Sequence, residues 1–401
     1  MRLTQHTVRL LLAEPLRISR SVMTARDAVV LSVEHEGLTG HGEAVSSVFQ
    51  KLDTPTLQLL AVRAGERLAR FSAPETALHA LRVGELTVPG TPAAVTAAVE
   101  AALLDLVGKR TATAVHRFLG SRVAPRSATA RTISLISPGR AAVQARELAE
   151  AGFSVIKIKA GERDHDADLD RVRAVRAAAP SARLLLDPNG AWSAGQARTL
   201  LPLFAELGVE AVEQPLAPGD PEALARLAAR SPLPVIADED AVTHEDARRL
   251  AGRVHGINVK LAKCGGVHAA LRIAALIKGS GTDLMLGCLT ASTLGIAPAV
   301  HIADRARWTD LDGHLLLAHD PWTGIGGDDG FVTATGRPGL GVRPRTEAGV
   351  PAGVDNGSGA DACAGADDGS GAVTRSGADS RAGAGSGTPA DARAAVRSAA
   401  S

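Results

Sequence analysis

Short apolar runs that end in a polar or charged residue recur through the middle of the chain. They are RTISL (131–135), VIKIK (155–159), RLLLD (183–187), VEAVE (209–213), PVIAD (234–238), GINVK (256–260), DLMLGC (283–288) and WTDLD (308–312). Between them lie patterns with apolar residues at helical spacing, such as GRAAVQARELAEAG and DPEALARLAARS. The runs end at 135, 159, 187, 213, 238, 260, 288 and 312, in steps of 24, 28, 26, 25, 22, 28 and 24 residues. That is the period of a strand–helix unit, repeated eight times. An open doubly wound sheet fits the alternation too, but eight equal units favour an α/β fold of the (β/α)8 barrel type.

The flanks read differently. LTQHTVRLLL and AVVLSVEHE alternate as strands, with Gly37, Gly40 and Gly42 bending the chain between and after them. Helical patterns follow around 55–70 and 91–108, the second opening on Thr91-Pro92. Residues 1–122 are therefore expected to form an α+β unit, and 123–318 the barrel. From about 346 to 401 the chain is Gly, Ala, Ser and Asp with hardly a large apolar residue. Such a segment buries too little surface to offset its ordering entropy and is expected to be disordered.

Composition narrows the classes. Of 401 residues, 44 are basic and 43 acidic, so no nucleic-acid or membrane surface is expected. With 2% aromatic residues and no Tyr, Ala, Val and Leu must fill the core. Three cysteines, odd in number and widely spaced, give neither a disulfide framework nor a metal motif. The amino-terminal apolar run is cut by Arg9 and stopped at Glu14-Pro15, too short for a signal peptide, and no stretch has the length of a membrane span. A cytoplasmic protein is expected, and a homo-oligomer is compatible with it.

Charge at the ends of the apolar runs is the chemical signal. In a (β/α)8 barrel the carboxyl ends of the strands converge on the active site. Here those ends carry Lys157 and Lys159, Asp187, Glu213, Asp238, Lys260, Cys288, and Asp310 with Asp312. One such residue alone is more often a cap or a surface group; the whole set is hard to explain by packing. Asp187, Glu213 and Asp238 come from neighbouring strands, and three converging carboxylates repel unless a cation joins them. Oxygen ligands without His or Cys select Mg²⁺, or Mn²⁺, over zinc. Lys157 and Lys159, two apart in a strand, share a face. Crowding by Lys157 is expected to lower the Lys159 pKa towards the range of a useful base. Lys159 and Lys260 then flank the metal from opposite sides. A carboxylate on the metal with a lysine on each face of its α-carbon suits removal of an α-proton and its return to the other face. That is racemisation or epimerisation.

With these residues in order, the chain resembles the enolase superfamily, muconate-lactonizing subgroup, and within it the dipeptide epimerases. The similarity runs from about residue 1 to 345 through Gly42-Glu43-Ala44, LLDLVGKRTATAVHRFLG (103–120), KIK, LDPNGAW (186–192), VEQPL (212–216), IADE (236–239), NVKLAKCGG (258–266) and PGLGV (338–342). The resemblance implies a capping domain built from 1–122 and a return segment, 319–345. It implies Lys159 and Lys260 as the acid/base pair, Asp187, Glu213 and Asp238 as ligands, and Glu239 in support behind Lys260. DLDGHLLLAHDPW (310–322) looks like the motif whose two aspartates, Asp310 and Asp312 here, bind the α-ammonium of a dipeptide. Thr132 and Cys288 match substrate-contacting positions. Arg20 matches a capping-loop arginine that reaches the glutamate side chain in the Ala-Glu epimerases. Two departures stand out: Ala291 where much of the subgroup has glutamate, expected to reshape the pocket, and Asp240 where serine is usual.

N-acylamino acid racemase and o-succinylbenzoate synthase share the lysines and the metal but have no need of the aspartate pair. A Schiff base at Lys260, or a binding protein without catalysis, is disfavoured by the complete acid/base and metal set.

Overall fold

The structure, a computed structural model, describes residues 1–87 and 90–346. From residue 347 on, the low-complexity segment lies outside the described residues. Strands β1 (Arg2–Ile18), β2 (Ser21–His35) and β3 (Leu38–Val45) form an antiparallel sheet in that order. Helices α1 (Thr54–Leu68), α2 (Pro74–Arg82), α3 (Ala93–Arg110) and the short α4 (Val115–Phe118) follow. Asp53 caps α1 by accepting from Thr56 N. The third strand and α2 were not read from the sequence, and two glycines explain the former. Gly37 does turn the chain, at φ +76°. Gly40 and Gly42, however, lie inside β3, where an added Cβ would collide with the Ala102 and Ala98 carbonyls of α3. They are there to let a helix lie close on the sheet, not to bend it.

Strand β4 (Arg126–Ala128) leads into the barrel: β5 (Ala130–Ile133), α5 (Pro138–Glu150), β6 (Val155–Lys159), α6 (His165–Ala178), β7 (Arg183–Asp187), α7 (Ala194–Glu206), β8 (Val209–Glu213), α8 (Pro221–Ala228), β9 (Val235–Ala237), α9 (His244–Leu250), β10 (Gly256–Lys260), α10 (Leu261–Cys264), α11 (Val267–Ile277), β11 (Asp283–Gly287), α12 (Thr293–Val300) and β12 (Trp308–Asp310). The eight strands β5–β12 are parallel neighbours in chain order. Side chains help close the seam between β12 and β5: Leu311 N donates to Thr129 Oγ1 at 2.9 Å, and Thr132 N to Asp312 Oδ2 at 2.7 Å.

Period-two alternation divides each barrel strand. Ile156 and Ile158 face the helices, while Val155 joins Ala130, Leu185, Ala211, Ile236, Met285 and Trp308 in a separate interior cluster. Gly256 supplies the remaining strand of that layer, since a Cβ there would come within 2.8 Å of the Trp308 ring. Two residues further along each strand, the same inward face carries Thr132, Lys157, Asp187, Glu213, Asp238, Asn258 and Asp310. The polar layer thus rests directly on an apolar plug.

After the barrel the chain returns through β13 (Trp322–Thr323), β14 (Phe331–Thr333) and β15 (Arg343–Pro344). Strand β14 pairs with β4, and Leu340 N donates to Asp105 of α3 at 2.9 Å. Residues Met1–Glu347 form one unit. Among the described residues no helix is long and apolar enough to cross a membrane.

Candidate active site

A cleft of about 1130 Å³ opens over the carboxyl ends of the barrel strands, walled by the β1–β2 hairpin, residues 46–54 and the barrel mouth. Lys157, Lys159, Asp238, Lys260, Cys288, Asp310, Asp312, Thr132 and Arg20 all line it. Asp187 and Glu213 lie just beneath, each 1% exposed.

The shared face of Lys157 and Lys159 is borne out: both ammonium groups reach Asp187 Oδ2, at 3.0 Å and 2.6 Å. Lys157 also touches Glu213 Oε2 at 2.7 Å and Asp310 Oδ2 at 2.8 Å. Across the mouth, Lys260 Nζ lies 2.8 Å from Asp238 Oδ2. Strands β7, β8 and β9 separate the two lysine-bearing strands, so Lys159 and Lys260 approach the carboxylates from opposite flanks.

Two of the site lysines, Lys157 and Lys260, have their pKa raised by this arrangement. Burial pulls Lys260 down, but Asp238 and Glu213 outweigh it and hold the ammonium above its ordinary value. Lys157 is likewise raised, by Asp187, Asp310 and Glu213 against the same burial. Carboxylates, not crowding between ammoniums, dominate. Burial would raise Asp187 and Asp238, yet the lysines keep both below the usual carboxylate range.

Glu213 behaves differently. Burial first, then Asp187 and Asp238, push it up to about 7 against the pull of Lys157. Its Oε1 accepts from Asn258 Nδ2 at 2.8 Å, whereas Oε2, though near Lys157, has no aligned donor. Among the described residues no three acidic, thiol or imidazole groups form a ready ligand cluster, because ammonium groups are interleaved. The donor chemistry still fits a hard divalent cation: three buried carboxylates from adjacent strands, one of them short of positive charge.

Asp310 ends β12 and Asp312 lies two residues beyond it, both buried at the barrel mouth. Asp312 Oδ2 accepts from Thr132 N and lies 3.5 Å from Arg131 Nη1. Burial, with Asp310 beside it, raises its pKa, so an added cation is favoured there. The Cys288 thiol is pushed well above its ordinary value by burial and by these two aspartates, which keeps it neutral.

Glu239 does not bond to Lys260. It turns instead to Arg20, whose Nη2 meets Oε1 at 2.6 Å while Nη1 donates to the Asn189 carbonyl at 2.6 Å. Lys263 takes the place behind Lys260: its Nζ donates to Asp238 Oδ1 and, at 2.6 Å, to the Asp238 carbonyl. Lys263 and Asn258 were missed. Asn258 stands two residues before Lys260 in a strand, and that same-face spacing was the available signal.

The departures from the subgroup pattern now have places. Asp240 Oδ2 accepts from Gln214 Nε2 at 2.7 Å and Oδ1 from Gly219 N at 2.7 Å. Gln214, at φ +37°, in turn accepts from Asp238 N at 2.9 Å, so this bracket ties the ends of β8 and β9 together. Ala291 lies off the lining of the cleft. It is buried and packs where a Cβ on Gly295 would come within 2.9 Å.

Sequence comparison places most of the described chain in a known family. Residues 2–120 match the mandelate racemase/muconate lactonizing enzyme N-terminal domain, and residues 140–348 the enolase C-terminal domain-like family. The chain belongs to this family, within the enolase superfamily. It is 32% identical over 347 residues to the hydrophobic dipeptide epimerase of Roseobacter litoralis, across 85% of this chain and 98% of that one. It is 30% identical over 315 residues to the L-Ala-D/L-Glu epimerase of Escherichia coli, across 76% and 91%. The dipeptide epimerase of Enterococcus faecalis, solved with Mg and L-Leu-L-Tyr, superposes with TM-score 0.79 at 28% identity, over 85% of this chain and 98% of that one. Like these relatives, the chain is an isomerase.

Proposed function

We propose that this enzyme is a metal-dependent dipeptide epimerase that inverts the α-carbon of the C-terminal residue by a two-lysine mechanism. The observation that carries the reading is the placement of two lysines on opposite flanks of one carboxylate group. Lys159 is paired with Asp187, and Lys260 with Asp238. Asp187, Glu213 and Asp238 would hold Mg²⁺ or Mn²⁺. Bound there, the cation would supply Lewis-acid stabilisation of the charge that develops on the substrate carboxylate as the α-proton leaves.

The rest falls to the chain's own residues. One lysine, in its neutral form, takes the α-proton; the other, as ammonium, delivers a proton to the opposite face. Lys157 stays charged among Asp187, Glu213 and Asp310 and offsets negative charge at the reacting end. Asp310 and Asp312 receive the substrate ammonium, and Thr132 N holds Asp312 in position. The hairpin carrying Arg20 covers the cleft.

Deuterium incorporation from D₂O into free dipeptides, with L-Ala-L-Glu first, tests the reading against N-acetyl-Ala-Glu and N-succinyl amino acids. Each charge-assisted contact to the amine is worth about one to two orders of magnitude in kcat/KM. Free dipeptides should therefore lead. Equal or faster exchange of the acylated compounds would move the reading to an N-acylamino acid racemase.

A further inference from the structure

Arg26 is a cleft residue that the proposed chemistry leaves unused. It lies on β2 and lines the cleft together with Met23, Cys288 and Asp312. Its Nη2 donates only to the Met23 thioether, at 3.3 Å, and its Nη1 is shut off from solvent with no hydrogen-bond partner among the described residues. The carboxylates around the same cleft are committed elsewhere. Asp310 is taken by Lys157, Asp312 by Arg131 and Thr132 N, Glu239 by Arg20, and Asp238 by Lys260 and Lys263. Asp27 faces Arg9 at 3.3 Å, and Asp53 caps α1. Burial accordingly lowers the Arg26 pKa from 12.5 to about 10.

A desolvated guanidinium without an anion is costly to keep, and its planar fork matches a carboxylate. Its place in the cleft says which carboxylate. The Cys288 sulfur abuts the turn after Asp312, since a Cβ on Gly313 would come within 3.1 Å of it. Arg26 pairs with Leu10 of β1, and the next residue, Leu11, accepts from Ala318 N in the segment that follows Asp312, so Arg26 stands on the side of the aspartate pair, where the substrate ammonium is proposed to sit. Arg20 holds the other side, at Asn189 and Glu239.

We infer that Arg26 reads a side-chain carboxylate on the first residue of the substrate, which makes Asp-Xaa and Glu-Xaa dipeptides its substrate class. This rests on the dipeptide reading above. The test varies the first residue alone: L-Glu-L-Ala, L-Gln-L-Ala and L-Ala-L-Ala, with N-succinyl-L-alanine as the acylated control. Deuterium incorporation is followed in the Mg²⁺-supplied full chain and in Arg26→Met, Arg26→Gln and Arg26→Lys. In the unaltered enzyme Glu-Ala should exceed Gln-Ala in kcat/KM by about ten- to hundred-fold. The ratio should fall to near one in Arg26→Met and Arg26→Gln, with Arg26→Lys between. Two neutral variants guard against a folding defect in either, and a ratio within one protein is insensitive to its active fraction. Equal rates for Glu-Ala and Gln-Ala in the unaltered enzyme, or a ratio that survives both neutral variants, overturns the inference while leaving the dipeptide reading intact. Exchange of N-succinyl-L-alanine with no exchange of any dipeptide overturns both.

Discussion

Arg20 Nη2 lies 2.6 Å from Glu239 Oε1, so the hairpin of the cap is pinned to the loop after β9, directly over the candidate site. The arginine expected to meet a substrate side chain already holds a carboxylate of its own chain. Arg20→Met should therefore loosen the hairpin and raise KM more than it lowers kcat, for neutral and acidic second residues alike. Glu239→Gln, which frees Arg20, should improve acidic second residues relative to neutral ones. Steady-state kinetics with Ala-Glu and Ala-Leu check this; a loss in Arg20→Met confined to Ala-Glu would make Arg20 a direct reader instead.

The proposed metal site of three buried carboxylates predicts metal dependence. Chelation should abolish activity, and Mg²⁺ or Mn²⁺ should restore it. Asp187→Asn, Glu213→Gln and Asp238→Asn should prevent restoration and weaken metal binding measured by calorimetry. Full turnover in excess EDTA would refute the assignment.

The two lysines should be stereochemically distinct. Lys159→Ala and Lys260→Ala should each lower epimerisation by about 10²–10⁴-fold, because each direction needs both an acid and a base. Each variant should still exchange the α-proton of one epimer, and the two variants should keep opposite epimers. Near-normal epimerisation in Lys260→Ala would exclude the two-base scheme.

Glu43 offers a pH test away from the reacting groups. It is half-buried at the end of the cap sheet, where Ser292 N donates to Oε1 at 2.9 Å and Ser292 Oγ donates to Oε2. Burial, aided by Asp320, raises its carboxyl from 4.5 to about 7 despite the two Ser292 donors. A folded-state pKa above the unfolded one means that the native state binds this proton more tightly. Its stabilising contribution is full below about pH 4.5 and is lost as pH rises through about 7. Glu43→Gln removes the titration. Relative to the unaltered protein it should gain up to roughly 2–3 kcal/mol between pH 4.5 and 8, less where solvent reaches the half-buried carboxyl. Thermal melts of both proteins across that range read the difference; parallel curves would mean that Glu43 does not titrate there.

Much of the fold was legible because strand periodicity and site chemistry coincide. VIKIK, RLLLD, VEAVE and GINVK match β6, β7, β8 and β10 in full, since β-branched and aliphatic runs of that length suit a sheet covered on both faces. Period two then placed Lys157 with Lys159, and the shared rim placed Asp187, Glu213 and Asp238 together. What the chain order could not supply was the partner of each charge. Only the folded barrel decided that Asp238 would hold both Lys260 and Lys263, that Glu239 would turn to Arg20, and that Arg26 would be left with a thioether. The direction of the lysine pKa was decided there too, because it depends on how many carboxylates lie within a few ångströms of one ammonium. Periodicity fixes which face a side chain leaves from. The groups it meets come from strands and loops tens to hundreds of residues away, and only packing brings those together.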